Sequence, residues 1–89
     1  MTQTKTLALK NKLGMHARAA ASFVKVAQQF DSKIYIERDG QTVDGNSILD
    51  ILTLACPYGG KLTITAEGTD AAVAIKELEK LIENKFGEE

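Results

Sequence analysis

Residues 33–44, KIYIERDGQTVD, predict a β-hairpin around which the remaining elements can be placed. Ile34 and Ile36 alternate with polar neighbours, which is the pattern of a half-buried strand over residues 33–38. Asp39-Gly40 is a dipeptide that strongly favours a two-residue hairpin turn. A second strand is therefore predicted over residues 41–44.

Toward the N-terminus, the hydrophobic pattern predicts one strand followed by one helix. Leu7 and Leu9 alternate with smaller or polar residues, which indicates a strand over residues 6–10. From Ala17 onward, apolar residues recur every three or four positions, as they do along an amphipathic helix. The stripe that this spacing creates comprises Ala20, Phe23, Val24, Ala27 and Phe30.

After the hairpin, the pattern predicts a short helix and another strand. Gly45-Asn46-Ser47 is typical of a turn that leads into a helix N-cap, and the helix over residues 48–55 ends before Pro57. Residues 61–67 alternate apolar and polar side chains, which predicts a strand.

The last predicted element is a helix capped by Thr69 or Asp70 and closed by Gly87. The order of elements is then β-α-β-β-α-β-α. Because the strands alternate instead of being continuously apolar, the sheet should have one face in water. We therefore expect an α/β (α+β) two-layer sandwich, with a four-stranded antiparallel sheet and three helices on one face.

Length and composition bound the classes of protein that remain. Eighty-nine residues, 44% of them apolar, predict one domain spanning residues 1–89. The single cysteine, Cys56, cannot form an internal disulfide, and one histidine with one cysteine cannot make a metal site of several such ligands. No stretch is apolar enough for a membrane helix or a secretory signal, so we expect a cytoplasmic protein.

Charge is distributed unevenly along the chain. Residues 1–30 carry five basic side chains and no acidic one, whereas residues 67–89 carry seven acidic side chains against three lysines. A basic N-terminal third can attract an anion or an acidic protein. The net charge of −1 and the lack of a dense arginine and lysine stripe argue against a nucleic-acid partner.

The segment around His16 contains the side chains that could carry chemistry. Gly14 permits an unusual turn, and His16 stands at the start of the first helix. The free amide groups of Ala17 and Arg18 at that helix start would point at a group bound to the imidazole, and the Arg18 guanidinium can hold two oxygens of an anion. The plainer alternative is that His16 only occupies a helix N-terminus and Arg18 a solvated face.

Residues 14–20, GMHARAA, and residues 46–52, NSILDIL, are two motifs with a family resemblance. The first resembles the active-site signature and the second the regulatory-serine segment of the HPr family, the histidine phosphocarriers of the bacterial phosphoenolpyruvate-dependent phosphotransferase system. The resemblance covers nearly the whole chain and implies an open-faced β-sandwich. It implies that enzyme I phosphorylates His16 at Nδ1, that EIIA domains accept the group, and that no metal or organic cofactor resides in this chain.

Three positions depart from the usual family pattern. Ala19 stands where proline is common, and alanine should preserve the helix because it is an excellent helix former. Asn46 replaces a common lysine, and Asp50 places an acid on a helix that usually meets acidic partners. The sequence resembles both the sugar-transport branch and NPr, the carrier of the nitrogen-related branch.

Ser47 admits two interpretations. In the first, Ser47 or its neighbour Asn46 is only the N-cap, which contributes about 1 kcal/mol to the stability of the helix. The resemblance also implies regulation, because an HPr kinase/phosphorylase modifies the matching serine in some bacteria. The alternative function is accordingly an HPr-fold regulatory protein that acts by binding partners, with Ser47 phosphorylated. A further alternative is an anion-binding module with no covalent step.

The short helix over residues 48–55 is apolar almost all round, and this predicts a docking surface. A helix on a one-sided sheet buries about one stripe, here Ile51, Leu54 and Ala55. The remaining apolar side chains should point at least partly into water, unless neighbouring loops cover them. An exposed apolar patch on a small protein marks a partner site. The resemblance places this surface beside His16 with Arg18 at its rim. Binding there should be transient, because a carrier must leave its partner quickly. We also expect the protein to be a monomer. The predicted surface comprises Ala17, Ala20, Ala21, Ile48, Leu49 and Leu52.

Overall fold

The computed structural model describes residues 1–88 and confirms the predicted order of elements and the open-faced sandwich. The strands form one antiparallel sheet, and three helices pack against one of its faces. The elements are β1 (Thr2–Ala8), α1 (Ala17–Ala27), β2 (Lys33–Arg38), β3 (Gln41–Asp44), α2 (Ile48–Thr53), β4 (Lys61–Glu67) and α3 (Ala71–Glu83), followed by a 3₁₀ turn (Lys85–Gly87).

The strand order across the sheet is β1-β4-β2-β3, and every neighbouring pair is antiparallel. Leu62 of β4 lies opposite Leu7, and Ile64 lies opposite Ile36, so the apolar side chains share the face that the helices cover. On the other face, the hydroxyl groups of Thr6 and Thr63 are 2.9 Å apart in a cross-strand hydrogen bond. The sheet thus has one dry and one wet face, as its alternation predicted.

The core lies between the sheet and one stripe of each helix. Buried side chains recur at helical spacing along α1 and α3, and Ile51 is the buried residue within α2. These are Ala19, Ala20, Phe23 and Ala27 in α1, and Ala71, Ala74, Ile75, Leu78 and Ile82 in α3. Among residues 1–88, no helix is long and apolar enough to span a membrane.

The bounds predicted for β1 and α2 were partly wrong. β1 begins at Thr2 instead of Thr6, because pairing with β4 extends a threonine-rich segment that has no apolar alternation of its own. The helix α2 ends at Thr53, and Ala55 adopts a φ of +49°. This turn exposes Ala55, so the predicted buried stripe holds for Ile51 and Leu54 but not for Ala55.

The last helix also ends earlier than predicted. α3 closes at Glu83 with Asn84 as its C-cap, so Gly87 does not end it. The 3₁₀ turn that follows buries Phe86 in the core and brings the chain back against α1. Asp70 is the N-cap residue, but its carboxylate accepts hydrogen bonds from Asp31 and Ser32 instead of capping α3.

Candidate functional site

The loop that carries His16 is held against the loop that follows α2. The backbone N–H of Met15 donates to the carbonyl oxygen of Cys56 over 2.8 Å. Gly14 has a φ of +68°, and a Cβ at this position would lie 2.7 Å from the same carbonyl oxygen. Both the backbone angle and the close approach require glycine, so the signature glycine fixes where the chain enters α1.

His16 is the N-cap residue of α1, as the sequence predicted. Its backbone is extended, and its carbonyl oxygen accepts the first helical hydrogen bond, from the N–H of Ala20 over 2.8 Å. The amide groups of residues 17–19 therefore precede the hydrogen-bond ladder of the helix. The His16 side chain is 25% exposed, so one part of the ring can be reached from solvent.

A carboxylate lies against the imidazole. Glu88 Oε2 is 2.5 Å from His16 Nε2 and 3.9 Å from the nearest guanidinium nitrogen of Arg18. Glu88 Oε1 accepts a hydrogen bond from Asn11 Nδ2 over 3.1 Å, and the same amide donates to the carbonyl oxygen of Gly14 over 2.7 Å. Glu88 and Asn11 thus join the His16 loop to the segment after α3.

Burial raises the pKa of the Glu88 carboxyl, but the surrounding groups together lower this pKa by more than burial raises it. The pKa therefore lies below its ordinary value. The hydrogen bonds from Asn11 and His16 lower it first, and the charges of His16 and Arg18 add to them. Glu88 is therefore a carboxylate at neutral pH.

Arg18 lies on the outer side of the site. Its side chain is 74% exposed, and the 3.9 Å approach to Glu88 is a loose ion pair. A guanidinium held this weakly can turn toward an anion bound at the start of α1. With Lys12, it lines a surface cavity of about 550 Å³ that Asn11 and Glu88 also border.

Sequence reasoning missed Asn11 and Glu88 as members of the site. Glu88 is 72 positions from His16 in the chain, and a glutamate in an acidic segment carries no signal of its own. Asn11 is buried, and the burial of one polar residue in a predicted loop cannot be inferred from the sequence.

Ser47 is the N-cap of α2, which confirms the structural interpretation of this residue. Its Oγ accepts a hydrogen bond from the backbone N–H of Asp50 over 3.1 Å. Asp44 lies close by, since its carboxylate accepts from the N–H of Asn46 over 2.9 Å.

The predicted docking surface is exposed in part. Leu49 is 77% exposed, and Ile48, Ala17 and Ala21 are exposed as well. Ala20 is fully buried, so its inclusion in the surface was wrong. It lies on the same helical stripe as Phe23 and Ala27 and faces the core. Leu52 is half-buried and packs against the core.

One further apolar side chain belongs to the same region of the chain. Leu13 lies three residues before His16 and is 67% exposed. One leucine in a loop forms no periodic pattern, so its exposure could not be predicted from the sequence.

The protein is a small open-faced sandwich with one partly exposed histidine at the start of a helix and an arginine two positions further on. These features are those of the class of histidine phosphocarriers. The family described as "PTS HPr component phosphorylation site" matches residues 3–84. The chain belongs to this family, and it is a non-catalytic phosphoryl carrier of the phosphotransferase system.

Individual relatives agree in both sequence and structure. The phosphocarrier protein HPr of Treponema pallidum is 41% identical over 85 residues, which are 96% of this chain and 97% of the relative. The crystal structure of HPr-C-His from Thermoanaerobacter tengcongensis matches with a TM-score of 0.94 at 46% identity, covering 98% of each chain. The HPr structure from Bacillus anthracis matches with a TM-score of 0.87 at 41% identity, covering 91% of this chain and 96% of the other.

Proposed function

We propose that His16 is the residue on which this carrier holds the phosphoryl group. The observation that supports the proposal is its place as the N-cap of α1, with a partly exposed ring next to the first amide groups of the helix. Those amides and the positive end of the helix stabilise an anion there.

The transfer step assigns a role to each group of the site. The lone pair of His16 Nδ1 forms the new bond to phosphorus, while the bond between phosphorus and the donor atom of enzyme I breaks and its electron pair stays with the donor. The amide of Ala17 and the guanidinium of Arg18 bind the phosphoryl oxygens. The same groups release the phosphoryl to an acceptor when the reaction runs onward.

Membership of the family implies enzyme I as donor and EIIA domains as acceptors. We propose that both dock on the exposed apolar patch made by Leu49 and Ile48 of α2 with Ala17 and Ala21 of α1. The two helices pack against each other, so this patch adjoins the helix that His16 caps. One large exposed leucine on a short helix suits a small interface that dissociates quickly.

The cellular setting follows from the same proposal. We propose that residues 1–89 form one domain that works as a cytoplasmic monomer, with Cys56 as a buried free thiol. Both the sugar-transport branch and the nitrogen-related branch suit a carrier of this kind.

For Ser47 we propose that capping α2 is the primary role. A phosphate on Ser47 Oγ would alter the oxygen that now accepts a hydrogen bond from the backbone N–H of Asp50. It would also lie near the carboxylates of Asp44 and Asp50. Regulation by an HPr kinase, with the protein acting only as a binding partner, is the alternative. It predicts no label on His16 from enzyme I, and a label on Ser47 only when the kinase and ATP are supplied.

Labelling with radioactive phosphoenolpyruvate and purified enzyme I tests the proposal. The wild type should acquire one label that is lost in acid and stable in base, as a phosphohistidine is, and His16→Ala should acquire none while keeping its melting temperature. Ser47→Ala serves as the control and should still be labelled. An acid-stable label, or an acid-labile label that persists in His16→Ala, would contradict the assignment.

A further inference from the structure

Glu88 is held in place on two sides. Its side chain is 16% exposed, and its two oxygens meet different partners, His16 Nε2 at 2.5 Å and Asn11 Nδ2 at 3.1 Å. Asn11 is itself buried and tied to the carbonyl oxygen of Gly14. Phe86, which is buried in the core, anchors the segment that delivers Glu88. The carboxylate is therefore positioned by the fold and is not a chance neighbour on a solvated surface.

The contact with Nε2 decides which ring nitrogen is free. An ionised carboxylate only accepts hydrogen bonds, so the nitrogen that it touches must carry the proton. In the neutral ring, the other nitrogen then has its lone pair available. Glu88 thus selects the tautomer in which Nε2 is protonated and Nδ1 can attack.

We propose that Glu88 is a positioning residue for phosphoryl transfer, which orients the His16 ring, holds the proton on Nε2 and stabilises the positive charge that the ring gains when Nδ1 is phosphorylated. This inference rests on the proposed function of His16. It gives Glu88 the role that a buried aspartate has beside the histidine of a catalytic triad.

The step balances without a proton acceptor. The bond from Nδ1 to phosphorus forms, the bond from phosphorus to the donor breaks, and the Nε2 proton stays on the ring with Glu88 as its hydrogen-bond acceptor. The ring becomes positively charged in the step, and a carboxylate 2.5 Å from Nε2 stabilises that charge. This stabilisation of the charged ring by Glu88 is lost when the phosphoryl group leaves His16. Glu88 therefore affects both the transfer from enzyme I to His16 and the transfer from His16 to the acceptor.

The carboxylate also repels the incoming phosphoryl group, and the geometry limits this effect. Glu88 meets the ring at Nε2, whereas the phosphoryl bonds to Nδ1 on the other side of the ring. Arg18 lies 3.9 Å from the carboxylate and offsets part of its charge.

The inference predicts different behaviour for two substitutions of Glu88. Glu88→Ala removes both the acceptor and the charge, whereas Glu88→Gln keeps a carbonyl acceptor for the Nε2 proton and loses the charge. Transfer from phosphorylated enzyme I should slow about tenfold in Glu88→Ala and less in Glu88→Gln, as expected for loss of a charge-assisted hydrogen bond. Glu79→Gln is the matched control, because Glu79 pairs with Lys5 of β1 and contacts no described residue of the site. This variant should transfer at the wild-type rate.

A spectroscopic measurement separates positioning from a structural role. The chain has one histidine, so a sample labelled with ¹⁵N in histidine gives one pair of ring signals. With the ring neutral, the wild type should show a protonated Nε2 and an unprotonated Nδ1, and Glu88→Ala should show signals averaged between the two tautomers.

The outcomes separate this inference from the assignment of His16. If wild type takes an acid-labile label and Glu88→Ala is loaded at the wild-type rate or faster, His16 stands and the positioning role is overturned. A proton on Nδ1 in the wild-type spectrum would also overturn it. If the wild type takes no label at His16, the proposed function itself fails, whatever Glu88 does.

Discussion

Replacing Gly14 with alanine tests how the His16 loop is held. The new Cβ would lie 2.7 Å from the carbonyl oxygen of Cys56 and 2.9 Å from two backbone atoms of Pro57. All three neighbours are main-chain atoms, which cannot move aside as the end of a flexible side chain can. Gly14 also has a φ of +68°, which an L-residue adopts only under strain.

The loss in the free energy of unfolding of Gly14→Ala is the sum of the backbone strain and the close approach. The left-handed backbone costs about 1–2 kcal/mol for an alanine. Forcing a methyl group against fixed atoms adds about 1–3 kcal/mol, as overpacking does elsewhere. A loss of about 3 kcal/mol corresponds to a melting temperature lower by about 12–24 °C in a domain of this size.

Gly40→Ala separates the two effects. Gly40 has a φ of +86°, and a Cβ there would meet nothing within 4 Å. This control therefore carries the backbone strain without the close approach. Thermal and urea unfolding of both variants should show that Gly14→Ala is less stable than Gly40→Ala by about 1–3 kcal/mol.

Phosphoryl transfer measured below the melting temperature of both variants should be slower in Gly14→Ala, because relief of the clash displaces His16. Gly40 lies in the hairpin turn, and its variant should transfer at the wild-type rate. Equal stability of the two variants would show that the loop yields without cost. The account of how the His16 loop is anchored to Cys56 would then be wrong.

Arg18→Ala should slow phosphoryl transfer while the melting temperature changes little, because the side chain is 74% exposed. Arg18→Lys should restore only part of the rate, and equal rates for the wild type and both variants would show that Arg18 is not part of the site. Leu49→Glu should weaken binding to enzyme I in a calorimetric titration without unfolding the protein, whereas Val73→Glu, at a 53% exposed position on α3, should bind as the wild type does. A large fall in the melting temperature of Leu49→Glu would assign Leu49 to the core. Asp70→Asn should lower the melting temperature at neutral pH, because hydrogen bonds from the Ser32 hydroxyl and the Asp31 amide lower the pKa of Asp70. A lowered pKa gives stability that is present at neutral pH and lost as the pH falls below about 4, so the difference in melting temperature between variant and wild type should shrink in acid. A difference in melting temperature that is the same at all pH values would exclude the carboxylate as its source.

Local pattern was sufficient for most of the fold. The strands over residues 33–38, 41–44 and 61–67 begin and end where alternation and the Asp39-Gly40 turn predicted. His16 and Ser47 stand at the helix starts that were predicted for them. Periodicity and capping act over a few residues, so they are visible in the sequence itself.

Errors arose where a neighbour distant in the chain determines the outcome. The strand β1 extends to Thr2 because β4 supplies hydrogen-bond partners. Ala55 was placed in a buried stripe, but the helix ends before it and the chain turns away. At the end of α2, the Arg38 guanidinium of β2 donates to the carbonyl oxygen of Leu54 over 2.8 Å. No local pattern encodes either of these tertiary contacts.

The sequence by itself determined that a histidine would begin an amphipathic helix on an open-faced sandwich, since both features follow from short-range spacing. Only the tertiary structure decided what surrounds that histidine. Phe86 is buried in the core next to α1, and this brings Glu88 to a ring 72 positions away in the chain. Such a contact depends on how the helices pack in three dimensions, and a single sequence holds no periodic signal for it.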